Sequence, residues 1–424
     1  MTLCRIKDVA RINQHTIPED TEPDFCFRYI DIGAVDGLGH IDIPEEETLF
    51  RAAPSRARRL APAGAVVVST VRTYLRAIAV VPEVTESLIF STGFAVLEAE
   101  AQVDSRFLAY YCRSQVFIDE VVSRSTGVSY PAISAAEIGS MPITLPEREE
   151  QTRIADFLDS ETARIDRLIN AQNRLQGRLL ERRSAGVTSA VADAENKDRH
   201  PSTLAWLETI PATWQEVRVG LLARMGSGHT PSRSRPEWWT DCNIPWITTG
   251  EVKQVRDDRR EDLFETREKI SELGLANSAA ELHPAGTVVL CRTASAGYSA
   301  VMGTDMATSQ DFVTWTCGPR LDPHYLLWCL RAMRADLIGR LAMGSTHKTI
   351  YVPDLQMLRI PLPPLGEQRQ IVKRIREQNS QIDRLSDVLA HRISLLTERR
   401  QALITAAVTG QIDVSTASGR GIEE

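Results

Sequence analysis

The chain has 424 residues, a length that accommodates two to four domains of ordinary size. Hydrophobic residues make up 43% of it and charged residues 25%, which excludes a largely disordered or collagen-like chain. Because the net charge is −7, any DNA-binding surface must be a local cluster of basic residues or must be completed by a partner.

Two further features bear on the compartment in which the chain works. No apolar run approaches the ~20 residues of a membrane-spanning helix, and the N-terminus carries no apolar signal core. The seven cysteines are odd in number and form no CxxC pair, which favours reduced thiols over a zinc site or a disulfide framework. We therefore predict a cytoplasmic protein that has no contact with membranes.

A mixed domain followed by a long helix is predicted for the first part of the chain. Residues 1–145 contain strand-sized apolar runs separated by glycine, proline and serine. The predicted strands are 27–32, 65–69, 78–81 and 93–97, and a helix is predicted over 105–122. Residues 146–192 are then predicted to form one long helix. It begins with Pro146, whose missing N–H costs nothing at a helix start.

The same order of elements recurs in the rest of the chain. A polar segment at 193–202 is predicted to be a linker, and 203–362 a second mixed domain. Its predicted strands are 244–248, 287–290 and 312–316, and its predicted helix is 323–341. A second long helix is predicted at 363–412, with Gly410 as its stop signal. The last segment, 413–424, is predicted to be a disordered tail.

An internal duplication underlies this order. The segment IDRL at 165–168 recurs as IDRL at 382–385. At the same offset along the chain, ERR at 181–183 falls on ERR at 398–400, and EQ at 150–151 falls on EQ at 367–368. Chance cannot plausibly produce these matches at one offset, so the sequence predicts two structural repeats related by a pseudo-two-fold axis.

Each long helix carries a heptad pattern of apolar residues with a few polar interruptions. In the first helix the predicted seam is Ile154, Leu158, Glu161, Ile165, Leu168, Gln172, Leu175 and Leu179. In the second helix it is Ile371, Ile375, Gln378, Ile382, Leu385, Leu389, Arg392 and Leu396. Two matching seams in one chain favour pairing of the helices with each other over two unrelated surface helices. At 1.5 Å per residue, each helix is expected to be about 60 Å long.

The sequence contains no motif of a known catalytic site. The glycine-rich segment 31–39 is similar to a nucleotide-binding loop, but its repeat equivalent keeps only the first glycine, which favours a turn. The segment 344–349 departs from a phosphate loop because His347 replaces the glycine before the lysine. No HExxH, G-x-S-x-G or amino-methyltransferase motif occurs. We therefore predict no catalytic residue, cofactor or metal in this chain.

Basic residues cluster in segments that contain no acid. Six arginines lie between positions 51 and 76, four lie between 217 and 236, and Arg340 and Lys348 lie within 339–353. Arginine beside hydroxyl residues and glycine suits contact with phosphate and guanine, although a solvated basic face is the competing explanation for any one cluster. The candidates for DNA contact are Arg58, Arg72, Thr73, Arg76, Arg233, Arg292, Thr293, Ser295 and Lys348.

Several segments are similar to those of one known family. They are LPEREEQTRIADFLD at 145–159, LPPLGEQRQIVKRIREQ at 362–378 and TAAVTGQIDV at 405–414, with PWITTGEVK at 245–253 and AGTVVLCRTASAGYS at 285–299. These segments resemble the specificity subunit of type I restriction-modification systems. The segment WQEVRVGLLARMGSGHTP at 214–231 is similar to the opening of that family's recognition domain, whereas the first half of the chain lacks this opening. The resemblance covers nearly the whole chain.

The resemblance implies an α+β fold with two mixed α/β target-recognition domains. These domains would alternate with two long helices that pair as an antiparallel coiled coil. Each recognition domain would read one half of a bipartite site on double-stranded DNA. The helices would fix the spacer and dock two modification (methyltransferase) subunits, and two restriction subunits would complete the assembly. S-adenosylmethionine, ATP and Mg²⁺ are expected on those partner subunits and not on this chain.

The sequence leaves three functions open. The first is a non-catalytic DNA-specificity subunit, and the second is a coiled-coil adaptor or interaction protein without base readout. The third is a stand-alone methyltransferase, which the missing catalytic motif disfavours. The bases read and the spacer length do not follow from the sequence, because readout depends on loop positions rather than on a code.

Overall fold

The computed structural model describes residues 2–84, 87–127, 130–193, 195–344 and 348–414. The chain forms two compact units, each with one globular region and part of both long helices. Unit 1 comprises residues 1–173 and 390–424, and unit 2 comprises residues 174–389. No helix within the described ranges is long and apolar enough to cross a membrane.

The globular region of unit 1 is built mainly from two four-stranded sheets. Its strands are β1 Thr2–Arg5, β2 Ala10–Ile12, β3 Cys26–Ile30, β4 Thr48–Leu49, β5 Ala57–Leu60, β6 Val66–Ser69, β7 Ile78–Val80, β8 Leu88–Ser91, β9 Phe94–Ala99 and β10 Pro142–Leu145. One sheet has the order β2-β9-β6-β7, the other has the order β4-β3-β8-β5, and β1 pairs with β10. Strands β6 and β8 are buried along their whole length, so continuous apolar runs mark them in the sequence.

Three short helices and the first long helix complete this part of the chain. They are α1 Ser105–Arg113, α2 Gln115–Arg124, α3 Ala135–Ser140 and α4 Arg148–Val191. The single helix predicted over 105–122 is two helices, because Ser114 adopts an extended conformation between them. The Ser114 hydroxyl accepts a hydrogen bond from the backbone N–H of Phe117 and thereby caps α2.

Unit 2 has a five-stranded sheet and several shorter ones. Its strands are β11 Arg199–Pro201, β12 Thr209–Pro211, β13 Gln215–Arg218, β14 Ala223–Ser227, β15 Ile244–Ile247, β16 Asp262–Leu263, β17 Lys269–Ile270, β18 Val288–Cys291, β19 Ser299–Met302, β20 Ala307–Thr308, β21 Phe312–Cys317, β22 Ala342–Met343, β23 Thr349–Ile350 and β24 Arg359–Leu362. The largest sheet has the order β14-β21-β18-β19-β16, and a second has the order β17-β15-β20. The segment predicted as a linker, 193–202, contains strand β11.

The helices of unit 2 follow the same plan as those of unit 1. They are α5 Glu272–Ala276, α6 Pro323–Ala332, α7 Arg334–Asp336, α8 Val352–Gln356 and α9 Leu365–Val408, and a π-helical turn spans Leu337–Leu341. In each unit an antiparallel strand pair, β1 with β10 or β13 with β24, leads directly into a long helix. An aspartate caps the equivalent helices α1 and α6. The two units therefore have the repeated architecture that the sequence predicts.

The long helices α4 and α9 contain 44 residues each and run antiparallel. In unit 2, Arg183 of α4 contacts Asp383 of α9, and the guanidinium of Arg374 donates to the backbone carbonyl of Ala190. Residue numbers thus rise along one helix as they fall along the other. Val414, in the predicted tail, is buried in the core of unit 1, and positions 415–424 of that tail lie outside the described residues.

The seam between the helices differs from the predicted one at alternate positions. The predicted seam residues Leu168 and Leu385 are 46% and 54% exposed. The shielded positions of α4 are Leu158, Thr162, Ile165, Ile169, Gln172, Gln176, Leu179 and Arg183, and those of α9 are their equivalents in the duplication. The predicted and observed patterns share every second position. At the other positions the observed seam is more polar than the predicted one. A search for apolar heptads therefore selects the wrong residues at those positions.

The repeated EQ segments owe their glutamine to a buried hydrogen-bond network. The side-chain amide of Gln151 donates to the carbonyl of Pro146 at 2.9 Å and to that of Gln102 at 3.3 Å. Its oxygen accepts from the N–H of Asp104 at 2.9 Å. Gln368 makes the equivalent three bonds, to Pro363, Arg320 and Asp322. Each glutamine therefore ties the start of a long helix to the loop before α1 or α6.

Replacing either glutamine by leucine should lower the free energy of unfolding by about 3 kcal/mol, because three buried or partly buried backbone groups lose their partners. Gln368→Leu and Gln151→Leu can be compared by chemical denaturation with Gln370→Leu, which changes an exposed glutamine in the same turn of α9 as Gln368. Equal stability of Gln368→Leu and Gln370→Leu contradicts this account of the repeated EQ segments.

Candidate nucleic-acid interface

In unit 1 the loop 70–76 follows β6 and is tied to residues 130–133; these two segments are called tip 1. The N–H of Arg72 donates to the carbonyl of Pro131 at 2.8 Å, and the N–H of Ile133 donates to that of Thr70 at 2.8 Å. Arg72 and Arg76 have φ values of 50° and 54°, a left-handed backbone conformation that is unfavourable for most residues other than glycine. The surrounding contacts hold this strained backbone in place, as is common in binding loops.

Tip 1 presents a cation together with aromatic rings. The guanidinium of Arg72 lies 4.9 Å from the ring centroid of Tyr130. Tyr130 is 64% exposed and Tyr74 is 56% exposed. An arginine stacked on an exposed ring offers positive charge beside a flat apolar surface, and these are the groups that contact phosphates and bases.

The other predicted residues of unit 1 are not exposed at this tip. Thr73 is 4% exposed, and its hydroxyl lies 3.1 Å from that of Ser125. The Arg76 guanidinium donates to the side-chain oxygen of Gln115 at 2.8 Å, beside α2. Arg58 lies on β5, in the other sheet, with its guanidinium 5.1 Å from the centroid of the Phe50 ring. Of the four candidates in this unit, the structure therefore places Arg72 where a ligand can reach it most easily.

The equivalent place in unit 2 is the loop 292–297 after β18 with residues 348–350, here called tip 2. The N–H of Ile350 donates to the carbonyl of Arg292 at 2.8 Å, and the N–H of Arg292 donates to that of Asp311 at 2.8 Å. The Arg292 Nε donates to the carbonyl of Gln310 at 3.0 Å, and the Thr293 hydroxyl donates to the Asp311 carboxylate. These bonds orient the loop and leave Lys348 exposed beside it.

Tips 1 and 2 are related by the duplication. A β-bridge joins Val71 to Ala132 in tip 1, and another joins Thr293 to Thr349 in tip 2. Ala132 and Thr349 are equivalent positions in the duplication, and the first members of the bridges follow the matching strands β6 and β18. The structure thus brings together the predicted residues Arg292, Thr293, Ser295 and Lys348.

Arg233 is not part of tip 2. Its guanidinium lies 3.8 Å from the ring centroid of Trp239 and 5.7 Å from that of Trp246. It also forms an ion pair with Glu268 at 2.8 Å, which offsets its charge. The sequence prediction overlooked these partners because they lie up to 35 residues away along the chain.

Tyr130 is a residue of tip 1 that the sequence analysis missed. A signal for it was present, because Gly127 and Gly344 match in the duplication and both have positive φ, 108° and 103°. At Gly127 an added Cβ would lie 2.9 Å from the carbonyl oxygen of Tyr130, so the glycine allows the backbone of Tyr130 to approach closely.

The thiol next to tip 2 is a packing group. Cys291 ends β18 directly before Arg292, and burial raises the pKa of its thiol to about 12. The thiol is therefore uncharged at neutral pH and a poor nucleophile. Among the described residues, no group of three or more His, Cys, Asp or Glu side chains is arranged to hold a metal ion.

Two repeated α/β regions, each with a basic loop held at an equivalent place, are typical of a nucleic-acid-binding protein whose basic residues are clustered. The family comparison gives the particular class. Residues 3–175 and 211–398 match the family model described as the type I restriction modification DNA specificity domain. The chain belongs to this family.

Individual relatives agree with this assignment. The chain is 25% identical over 165 residues to the type I restriction enzyme MjaIX specificity subunit of Methanocaldococcus jannaschii, a match that covers 38% of this chain and 37% of that subunit. It is 21% identical over 334 residues to the EcoDI specificity subunit of Escherichia coli, with coverage of 73% and 70%.

Solved structures show the same fold over almost the whole chain. One is a chain from a study of complex assembly and conformational transition of the type I R-M system, with 25% identity, a TM-score of 0.73 and coverage of 97% and 98%. Another is the HsdS subunit from Thermoanaerobacter tengcongensis, with 25% identity, a TM-score of 0.50 and coverage of 97% for each chain. The predicted α+β fold and the predicted specificity subunit are confirmed, and family membership favours DNA recognition over an adaptor or an enzyme.

Proposed function

We propose that this chain reads a bipartite DNA site for a type I restriction-modification complex, with tip 1 contacting one half-site and tip 2 the other. The observation that carries the proposal is the pair of equivalent tips, one in each unit, with bridges at matching positions. Each tip offers an arginine beside hydroxyl or aromatic side chains, which are suited to phosphate contact and base-edge readout.

The partners in this proposal are two modification subunits and two restriction subunits. The net charge of −7 supports a need for partners, because neutralisation of phosphates drives DNA affinity and this chain has basic residues only in clusters. S-adenosylmethionine, ATP and Mg²⁺ belong to those partners in the proposed complex. The chain contributes the choice of sequence.

Exposed apolar side chains on the long helices support docking of the modification subunits there. Leu168 on α4 and Leu385 on α9 are repeat equivalents, and about half of each side chain is exposed. Val388, one turn after Leu385, is 55% exposed. Apolar side chains on a helix face away from its seam are typical of surfaces that a partner covers. In the proposed complex each of the two equivalent faces receives one modification subunit.

Replacing Arg292 by alanine should alter the recognition of one half-site only, and replacing Arg72 should alter the other. A base contact by arginine is worth about 1–3 kcal/mol of discrimination, whereas loss of a phosphate contact weakens all sequences alike. The measurement is the profile of methylated motifs produced by the complex with each variant.

Arg218→Ala is the matched control, since this exposed arginine lies on β13, in a different sheet from tip 2. It should leave both half-sites unchanged. A change in both halves with Arg292→Ala, or in neither half with both tip variants, contradicts the proposed assignment of the tips. If the wild-type complex shows no sequence preference at all, the chain is instead a coiled-coil adaptor without base readout.

A further inference from the structure

Two buried arginines occupy matching positions in the duplication. Arg183 on α4 and Arg400 on α9 are repeat equivalents, and each is the last residue of an ERR segment. Both lie in the helix seam and are only 8% and 5% exposed. Burial of a guanidinium is costly unless it is paired and fully hydrogen-bonded, so its partners indicate what it stabilises.

In unit 1, Arg400 on α9 contacts both the other long helix, α4, and the globular region. Its Nε lies 2.9 Å from Oδ1 of Asp166 on α4, and its Nη2 lies 3.3 Å from Oδ2 of the same residue. The same Nη2 donates to the backbone carbonyl of Leu38 at 3.2 Å. The loop that contains Leu38 is itself fixed, because the carboxylate of Asp36 accepts from the N–H groups of Leu38 and His40.

In unit 2, Arg183 makes the same kind of connection. Its Nε lies 3.4 Å from Oδ1 of Asp383 on α9. Its Nη1 and Nη2 donate to the backbone carbonyls of Asp257 and Asp258 at 2.6 and 2.9 Å. This loop is fixed from the other side by Arg334, whose guanidinium makes two hydrogen bonds of 2.8 and 2.6 Å with the Asp258 carboxylate.

These contacts give a role to two of the three sequence segments that reveal the duplication, IDRL and ERR. The aspartate of each IDRL segment pairs with the last arginine of the ERR segment on the opposite helix. The loops that the arginines contact, 36–40 and 257–258, both follow a matching strand, β3 or β15, and its 3-10 turn. Their sequences differ, yet the arginines bind backbone carbonyls, which any sequence supplies.

We infer that Arg183 and Arg400 are positioning residues that set the orientation of each globular region on the helix pair, and so set the spacer between the half-sites. Arg400 contacts the region that precedes α4, and Arg183 contacts the region that precedes α9, so each arginine ties a region to the helix that is remote from it in sequence. This inference rests on the proposed bipartite recognition.

The test uses the complete modification complex with Arg400→Lys or Arg183→Lys. Lysine keeps the charge but lacks the planar fork that reaches the aspartate and the loop at once. The complex is offered duplexes that carry both half-sites with spacers from two base pairs too short to two too long. We expect discrimination between the correct spacer and its neighbours to fall about tenfold, the effect of losing one charge-assisted hydrogen bond. Base preference within each half-site should stay unchanged.

Arg399→Lys and Arg182→Lys are the matched controls, because these neighbouring arginines are exposed. They should keep the strict spacing. If a lysine variant fails to assemble, Asp166→Asn and Asp383→Asn carry the same expectation, because they weaken the pair and keep its shape. Wild-type spacing in the assembled variants, or altered bases with unaltered spacing, overturns the inference. Absence of any bipartite preference in the wild-type complex overturns the proposed function instead.

Discussion

Duplicating one heptad in both long helices should lengthen the spacer by about three base pairs and leave both half-site sequences unchanged. Seven residues add about 10 Å to a helix, and base pairs are ~3.4 Å apart. Residues 168–174 would be repeated after Arg174, and residues 385–391 after His391, which are equivalent points in the duplication. An insertion of seven residues keeps the seam in phase, because the seam repeats every seven residues.

A variant with the duplication in one helix only is the comparison for this experiment. Duplication in α4 alone should impair assembly, because the pairs Asp166–Arg400 and Arg183–Asp383 cannot both form between helices of unequal length. Sequencing of methylated motifs gives the spacer directly. If the double insertion yields a methylated motif with the original spacing, the helices serve only to dock partners and do not determine the spacer.

Introducing a charge at the exposed helix leucines should remove modification subunits one at a time. Leu168→Glu or Leu385→Glu should leave one subunit bound, and the double variant should bind none. Burying a leucine is worth about 1.5–3 kcal/mol, and an unpaired carboxylate adds a desolvation penalty, so we expect affinity at the altered face to fall about 100-fold or more. Native mass spectrometry of the reconstituted complex measures the number of subunits.

The matched control is Asn170→Glu, an exposed position on the same helix that points away from Leu168 by about half a turn. It should retain both modification subunits. Full occupancy in the Leu168→Glu, Leu385→Glu double variant would show that these faces are free of partners, and the docking surface would then have to be sought elsewhere on the chain.

Much of the fold was accessible from sequence because the duplication repeats motifs under strong physical constraint. Gln151 and Gln368 each satisfy three buried or partly buried backbone groups, so the EQ segment recurs at the start of both helices. The strands β6 and β18 appear in the sequence as continuous apolar runs because they are buried along their whole length. The break at Ser114 escaped prediction because a serine within a helical pattern can be either an interior or a capping residue.

The seam and the tips show where sequence reasoning was insufficient. The observed seam includes Arg183 and Arg400, whose charge is paired with an aspartate on the opposite helix, far away along the chain, so polarity misled the heptad assignment. At the tips, charge clustering selected Arg72 and Arg292 but also Arg233, which is stacked on tryptophan and ion-paired. Charge alone does not show that an arginine is ion-paired with an acid far away along the chain, as Arg233 is with Glu268.

The measurement that tests the central claim most directly is methylome sequencing of a host with and without this gene. The proposed function predicts methylated sites with two defined half-sequences separated by a spacer of fixed length and free sequence. These sites should lose their methylation when the gene is deleted and the genes of the modification subunits are kept. Methylation that is unchanged by the deletion, or that depends on the gene but falls in one uninterrupted motif, contradicts bipartite recognition by the two tips.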